Sequence, residues 1–210
     1  MHAPIYGLYS RKDDFMMKRI CWICALCIML TLTGCSSSAS SAENAAAASG
    51  DVTIGNYLSI QNIDSRLTLL NNLDTLSADG LYYASWVIGD AQAFENSDSD
   101  TVDLYDASLY LLSGEFKNMQ YAQENMDSWL AAAKKNYEIL NEEEITCNGQ
   151  TYSLITYNST HEDNPYARGI SAFGVYENYA VCIELTCRDE FTEDLRDILV
   201  DFLDCCSYGN

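Results

Sequence analysis

Three cysteines near the N-terminus have a spacing that can hold a metal. Cys21, Cys24 and Cys27 are each separated by two residues, and such repeats can ligate metal ions or iron–sulfur clusters through thiolates. They lie, however, within an uncharged apolar stretch, residues 20–32, that follows a short basic segment. This arrangement is typical of a secretory signal peptide, which is removed from the mature protein. We therefore expect no metal site at these cysteines.

A fourth cysteine, Cys35, stands where a protein can be lipidated. Lys18 and Arg19 precede the apolar stretch, which ends in Leu-Thr-Gly-Cys, residues 32–35, before a run of small polar residues. The stretch is well short of the ~20 residues that span a membrane. The order of these features resembles the lipobox of bacterial lipoproteins. The resemblance implies a diacylglyceryl group on the Cys35 sulfur and a protein held on the extracytoplasmic side of the cell membrane.

The chain then divides into three parts. Residues 1–34 are the predicted leader and lipoprotein signal peptide, with translation starting at Met16 or Met17, because acidic residues otherwise precede the basic segment. Residues 35–51 hold the lipidated cysteine and a Ser/Ala-rich tether that cannot bury a core. Residues 52–210 have the size of a single domain.

The acidity of the chain excludes one class of partner and favours another. From Cys35 onward, 7 Lys and Arg stand against 29 Asp and Glu, because four basic and two acidic residues lie in the leader, and the net charge is −22. Such a chain repels a nucleic-acid backbone. Membrane attachment is expected through the lipid at Cys35 alone. Solubility explains much of the acidity, and an envelope protein with a basic surface is the expected partner.

An acidic loop offers the one candidate metal site. Asp98, Asp100 and Asp103 provide closely spaced carboxylate oxygens of the kind that calcium prefers. An EF-hand loop would need a glycine at Thr101 and a glutamate at Ala107. A solvated loop is therefore the more economical interpretation.

Catalytic residue patterns are sparse in the sequence. His161 is the single histidine after the leader, and its loop setting is typical of a solvated side chain. The chain has no His-Glu-x-x-His, phosphate-binding loop or dinucleotide-binding glycine pattern. We therefore expect neither an enzyme nor a cofactor. Tyr82, Tyr83 and Trp86 could stack on a sugar, although rings on strands more often pack in a core.

The hydrophobic pattern predicts the elements that position these residues. Aromatic and β-branched runs favour strands at residues 57–60, 81–88 and 104–112. Residues 66–72 fit either a strand, which we prefer, or a helical turn. Apolar residues at helical spacing predict a long helix over residues 120–139. The apolar stripe along one side of this predicted helix is Ala122, Met126, Trp129, Leu130, Ala133, Tyr137 and Leu140.

Two hairpins and a last helix follow in the sequence. Asn148-Gly149 is a strong signal for a type I′ turn, because both residues tolerate positive φ. A second hairpin turns at Glu177 and Asn178. Thr192 is a suitable N-cap for the terminal helix. The inner stripe of that helix is Leu195, Ile198, Leu199, Phe202 and Cys206.

Five cysteines follow Cys35, and the topology suggests which of them can meet. A terminal helix that runs back along its strand should bring Cys205 or Cys206 closer to Cys182 or Cys147 than to Cys187. A disulfide between Cys182 and Cys206 is one possible pair, and reduced buried thiols are an equal alternative.

The predicted order is strands, a long helix, a four-stranded meander and a terminal helix. A mainly antiparallel sheet flanked by helices, an α+β fold, buries these elements best. The order resembles the α/β sandwich of PsbP-like proteins, the extrinsic photosystem II subunit family. That resemblance implies a binding or accessory domain without catalysis. A lipoprotein that binds a sugar or a cation is the second hypothesis, and an enzyme of unknown type is the third.

Overall fold

The structure, a computed structural model, describes residues 52–73, 80–89, 105–160, 164 and 166–209. In these ranges the chain forms ten strands and two helices. The strands are β1 (Val52–Ile54), β2 (Leu58–Ile60), β3 (Thr68–Leu73), β4 (Leu81–Ile88), β5 (Ala107–Glu115), β6 (Tyr137–Cys147), β7 (Gln150–Ser159), β8 (Arg168–Tyr176), β9 (Tyr179–Cys187) and β10 (Cys206–Tyr208). The helices are α1 (Met119–Asn136) and α2 (Leu195–Asp204).

The strands form two antiparallel sheets. Seven strands follow the order β3-β4-β5-β9-β8-β7-β6, and three follow the order β1-β2-β10. Each pairing is antiparallel. α1 connects β5 to β6 at the far edge of this sheet, and β7, β8 and β9 then return strand by strand until β9 pairs with β5. The predicted α+β class, a mainly antiparallel sheet flanked by helices, is confirmed.

One face of the seven-stranded sheet carries the main apolar core. Successive residues of a strand point to opposite faces, and on this face the side chains pack against α2 and the small sheet. Trp86 of β4 meets Phe202 of α2 edge to face, with ring centroids 4.9 Å apart. The inner face of α2 consists of Leu195, Ile198, Leu199, Phe202 and Leu203.

The opposite face is covered in part by α1. The Asn118 side chain caps this helix by accepting a hydrogen bond from the backbone N–H of Tyr121 at 3.1 Å. Its buried stripe, Ala122, Met126, Trp129 and Ala132, packs against β6, β8 and β9. The helix begins near the β8–β9 turn, where the Phe116 N–H donates to the Asn178 carbonyl. It ends near the start of β6.

The end of α1 differs from the prediction over residues 120–139. The helix ends at Asn136, and the chain enters β6 directly at Tyr137. Tyr137 pairs with Ser159 of β7, so Tyr137 and the 56 % exposed Leu140 belong to a strand rather than to the helical stripe. The ladder with β7 outweighs the local helical spacing, because tertiary pairing overrides propensity.

The terminal helix is also shorter than predicted. Asp194, not Thr192, is its N-cap, and the Asp194 carboxylate accepts hydrogen bonds from the N–H groups of Arg196 and Asp197. At its other end the helix stops before Cys206, which begins β10 and pairs with Ile60. Cys206 is therefore buried as a residue of β10 and not as part of the inner stripe of α2.

The predicted strands are found with small shifts. β4 matches residues 81–88, β3 confirms a strand near 66–72, and β5 begins three residues later than predicted. The sequence analysis did not detect β1 and β10, which are three residues each. Such short strands have too few alternations to be recognised.

Both predicted turns join the expected strands. At the β6–β7 turn Asn148 and Gly149 have φ of 46° and 78°, which confirms the positive φ that a type I′ turn requires. At the β8–β9 turn Glu177 has φ of 50°. Each turn connects neighbours in the seven-stranded sheet.

Candidate functional site

Several predicted site residues lie outside the described part of the chain. These are Cys35, Asp98, Asp100, Asp103 and His161. The lipidation site, the calcium loop and the solvated histidine therefore stay predictions. Within the described ranges no three His, Cys, Asp or Glu side chains are grouped so that they could hold a metal ion.

A shallow depression lies where β4 ends and β5 begins. It has a volume of about 390 Å³ and is lined by Ile88, Asp106, Arg188, Glu190, Phe191, Thr192 and Glu193. Two backbone hydrogen bonds join its lining residues: the Asp106 N–H donates to the Ile88 carbonyl and the Arg188 N–H donates to the Asp106 carbonyl, both at 3.0 Å. The Arg188 guanidinium lies 3.5 Å from the Glu190 carboxylate. The cleft is thus shallow and lined by charges of both signs.

A more ordered cluster lies on the face of the sheet that α1 covers in part. Here the Glu184 carboxylate, on β9, accepts hydrogen bonds from three hydroxyl groups at its Oε1 atom. Tyr157 donates from β7, Tyr137 donates from the start of β6 at 3.4 Å, and Ser171 donates from β8 at 3.3 Å. Tyr110 of β5 is the direct register partner of Glu184. These five residues are called the Glu184 site below.

The backbone of β8 makes room for this cluster. Tyr157 pairs with Gly169 in the β7–β8 ladder. A Cβ atom on Gly169 would lie 2.4 Å from the ring and hydroxyl of Tyr157, which is closer than side-chain atoms approach. The missing side chain lets the Tyr157 ring pass over β8 and reach Glu184 on the strand beyond. The Tyr137 ring stacks on that of Tyr157, with centroids 3.9 Å apart and an interplanar angle of 5°.

Burial differs within the Glu184 site. Tyr157 is 2 % exposed and Ser171 is 1 % exposed, whereas Tyr110, Tyr137 and Glu184 are partly buried. Burial and the negative charge of Glu184 raise the pKa of Tyr157 well above its usual value. The Tyr157 hydroxyl therefore keeps its proton and remains a donor to Glu184.

Small polar side chains continue the surface beside Glu184. Ser85 pairs with Tyr110, and Ser108 pairs with Thr186, so all of them share a face with Glu184. Each is partly buried. The Tyr83 ring adds an aromatic neighbour, with its centroid 6.0 Å from that of Tyr110. The surface is thus rich in hydroxyls and rings around one carboxylate.

The sequence analysis did not name Glu184, although the alternation in β9 puts it on the face opposite Val181, Ile183 and Leu185. It missed the cluster because the donors come from three other strands. A charged residue in the middle of a buried strand was the available signal.

The three aromatic residues considered for a sugar platform do not form one surface. Tyr82 is 8 % exposed and Trp86 is 0 % exposed, and both belong to the main core. Tyr83 points to the opposite face, because neighbouring residues of a strand alternate. A platform built from all three rings is therefore excluded.

The outer edge of the seven-stranded sheet is acidic. β6 is the last strand in the sheet order, and Glu138, Glu142 and Glu144 are exposed along it. Lys134 of α1 pairs with Glu142 at 2.5 Å. Arg196 of α2 pairs with Glu143 at 2.7 Å. The two pairs attach the helices to this edge from opposite faces of the sheet.

Three cysteines meet at the end of β6. Asn148 donates side-chain hydrogen bonds to the carbonyls of Asp204 and Cys206, the latter at 3.1 Å, which brings Cys147 to Cys205 and Cys206. Burial raises the pKa of all three thiols, and the nearby Asp204 carboxylate raises it further. The thiols therefore stay protonated, a state that disfavours a nucleophilic role.

The predicted disulfide between Cys182 and Cys206 is not formed in this structure. Cys147, Cys182, Cys187, Cys205 and Cys206 are free thiols. Cys182 faces away from the main core, since it lies between Val181 and Ile183 on β9, whereas Cys206 is part of that core. The sheet thus separates the two sulfurs, and Cys147 is the cysteine beside Cys206.

None of the helices in the described ranges is both long enough and apolar enough to cross a membrane.

Comparisons with known proteins identify no family for this chain. No protein-family model matches it, and no curated protein matches it. The chain is similar to a crystal structure from Bacteroides thetaiotaomicron, with 9 % identity and a TM-score of 0.42, over 76 % of this chain and 47 % of that one. It spans about half the length of that protein. It is also similar to the solution structure of cyanobacterial PsbP from Synechocystis, with 12 % identity and a TM-score of 0.41, over 85 % of this chain and 99 % of that one. At these values neither likeness assigns an activity.

Proposed function

We propose that the protein is a lipid-anchored extracytoplasmic binding module that contacts a basic surface of another envelope protein and performs no catalysis. The observation that carries the proposal is the outer edge of β6, an eleven-residue strand with three exposed glutamates. An edge strand presents unpaired backbone N–H and C=O groups to any segment that can align with it.

The charge on this edge selects the partner. Two copies of the acidic edge repel each other, which disfavours pairing between identical chains. A segment rich in Lys or Arg could instead add to the sheet as a further strand. It would gain both backbone hydrogen bonds and electrostatic attraction to the glutamates. The net charge of −22 from Cys35 onward would also speed the encounter at low salt.

The proposed anchor limits where such a partner can be. Residues 36–51, the proposed tether of 16 residues, would keep the domain within a root-mean-square distance of ~20–24 Å of Cys35 if they behave as a flexible chain. The domain would then sample a thin layer above the membrane, where envelope proteins are the most available partners.

A photo-cross-linking experiment in intact cells tests the proposal. A photoreactive amino acid replaces Leu140, which is 56 % exposed on β6, or Met119, which is 61 % exposed on α1 and serves as the control site. We expect one specific protein adduct from position 140 and a much weaker adduct from position 119. The Cys35→Ala variant should lose the adduct, because the protein would no longer be held at the membrane.

Matched charge reversals separate the local contact from net charge. Glu144→Lys on β6 and Asp201→Lys on α2 alter exposed positions and change the net charge equally. We expect Glu144→Lys to reduce the adduct at least about fivefold, since like charges at a contact are unfavourable, and Asp201→Lys to leave it unchanged. Equal losses in both variants, or no protein adduct in the wild type, would refute this contact.

A further inference from the structure

We infer that Cys147 and Cys206 form a redox pair, which is a pair of free thiols in the reduced protein and a disulfide in the oxidised one. The bond would tie the end of β6 to the start of β10. This inference goes beyond the proposed function, because it concerns the junction between the two sheets rather than the outer edge of β6. It requires neither the lipid anchor nor a partner protein.

The β6–β7 turn docks on the stretch of chain that links α2 to β10. The Asn148 side chain donates hydrogen bonds to the carbonyls of Asp204 and Cys206, the latter at 3.1 Å. Cys147 precedes Asn148, ends β6 and belongs to the same buried core cluster as Cys206. The Cys147 thiol is close enough to add to the effect of burial in raising the pKa of Cys206. The two thiols therefore share one junction on one side of the sheet.

The directions of the side chains select Cys206 rather than Cys205 as the partner. The Cys205 thiol donates to the carbonyls of Asn62 and Asp201, at 3.4 and 3.2 Å, and so points towards the connection that follows β2. Cys206 is fully buried as a residue of β10 and lies in the core to which Cys147 also belongs.

The remaining two cysteines are out of reach of this junction. Cys182 faces the other side of the seven-stranded sheet, because it lies between Val181 and Ile183 on β9. Cys187 lies at the end of β9 that is remote from the β8–β9 turn, whereas the β6–β7 turn is at the same end of the sheet as the β8–β9 turn. β9 has nine residues, so its two ends are roughly 25 Å apart.

A bond at this junction would connect the two sheets. In the reduced protein the junction is held by side-chain hydrogen bonds, from Asn148 and from the Tyr152 hydroxyl, which donates to that of Tyr208 at 2.8 Å. A disulfide between positions 147 and 206 closes a loop of about 60 residues, which restricts the unfolded chain. By this argument the bond lowers the ratio of unfolded to folded protein about a thousandfold.

The oxidant is a small disulfide such as glutathione disulfide. Burial and the Asp204 carboxylate raise the pKa of the Cys147 thiol, so the reaction starts while the chain folds or when the exposed end of the hairpin opens. The Cys147 thiolate attacks one sulfur of the oxidant, forms a mixed disulfide and releases one glutathione thiol. The Cys206 thiolate then attacks the Cys147 sulfur and displaces the second. Two protein thiols lose their protons and are oxidised, while one small disulfide is reduced to two thiols.

Refolding of the purified full-length protein in a glutathione redox buffer tests the inference. Remaining thiols are blocked with iodoacetamide, and the protein is digested with trypsin without reduction. Trypsin separates the peptide that holds Cys147, residues 136–168, from the C-terminal peptide, residues 197–210. We expect mass spectrometry to find these two peptides linked and to find the cysteines of β9 blocked by iodoacetamide.

Matched variants identify the partner within the C-terminal peptide, which contains both Cys205 and Cys206. Cys205→Ser should keep the link between the peptides, whereas Cys206→Ser should abolish it. Cys147→Ser removes the same bond from the other side, at a residue near the exposed turn, and serves if Cys206→Ser folds poorly.

Urea denaturation measures what the bond does to the junction. The oxidised wild type should need more urea for half of it to unfold than the reduced wild type. Cys147→Ser should unfold at the same urea concentration in both buffers, because it cannot form the bond.

Three results would overturn the inference. One is a Cys147 that is blocked by iodoacetamide, or still bound to glutathione, after refolding in the oxidising buffer. Another is a link that persists in Cys206→Ser. The last is an oxidised wild type that unfolds at the same urea concentration as the reduced one. None of these measurements involves a membrane or a partner, so their outcome is independent of the adduct at β6.

Discussion

The two faces of the seven-stranded sheet differ in what covers them. One face is closed by α2 and the three-stranded sheet, and its large side chains, such as Trp86 and Phe202, are fully buried. The other face is covered in part by α1, which leaves Tyr110 and Glu184 partly exposed. The first face is apolar, whereas the second carries hydroxyls, rings and a carboxylate.

This difference bears on how each face contributes to the stability of the fold. Apolar area removed from water is the dominant stabilising contribution to a fold, and it is concentrated on the closed face. Polar side chains can remain on the open face because the closed face already holds the sheet together. Substitutions on the two faces should therefore lower the free energy of unfolding by different amounts, and the following predictions test that difference.

The largest effect is expected on the closed face. Phe202→Ala removes a ring that is 2 % exposed and packs against Trp86. The free energy of unfolding should fall by about 3–5 kcal/mol, since the ring leaves a cavity as well as losing its transfer free energy. Chemical denaturation of the purified protein gives the value. A loss below about 1 kcal/mol would show that the core is not concentrated on this face.

A smaller effect is expected at the strand that lies beneath the Tyr157 ring. Gly169→Ala places a Cβ atom 2.4 Å from the Tyr157 ring, and the free energy of unfolding should fall by about 1–3 kcal/mol from overpacking. The Tyr157 hydroxyl should move away from Glu184, and the near-ultraviolet circular dichroism of the tyrosines should change with it.

A double-mutant cycle shows whether this loss comes from the predicted clash. In a Tyr157→Ala background the ring is absent, so Gly169→Ala should cost little or become slightly stabilising. If Gly169→Ala costs the same in both backgrounds, the close approach of ring and backbone does not explain the role of Gly169.

The element types could be predicted from the sequence because local signals agree with the fold. The aromatic and β-branched run at residues 81–88 predicted the bounds of β4, and Asn148-Gly149 predicted the turn between β6 and β7. The end of α1 could not be predicted, because Tyr137 and Leu140 continue a helical spacing. Only the ladder with β7, which joins residues distant in sequence, turns this segment into a strand.

The candidate site was less predictable than the fold for a similar reason. The alternation in β9 placed Glu184 away from the core, but its partners come from β5, β6, β7 and β8. The spacing of residues within one segment cannot predict contacts between side chains from different strands. The cysteines show the same limit. The sequence analysis correctly placed the ends of α2 and β6 together, but it did not consider that Cys182 points to the sheet face opposite Cys206.

The smallest effect is expected at the ion pair that joins α2 to the sheet edge. The Arg196 guanidinium donates hydrogen bonds to Glu143 and lowers the pKa of this carboxyl. Both side chains are partly exposed, at 47 % and 30 %, so water screens the pair and it should stabilise the fold only slightly. Glu143→Gln removes the charge at nearly constant size and should lower the free energy of unfolding slightly at neutral pH.

The pH dependence gives this small effect a distinct signature. Because the folded-state pKa of Glu143 lies below its unfolded value of about 4.3, the contribution of the pair is present above that pH and is lost as pH falls through the folded-state value. The wild type and Glu143→Gln should therefore differ at pH ~7 and converge in acid, and the difference should also shrink in high salt. Glu144→Gln, on the neighbouring residue, serves as the control and should follow the wild type throughout. A difference that persists in acid would mean that Gln disturbs packing at the edge, and the pair could not then be described as a purely electrostatic link between α2 and β6.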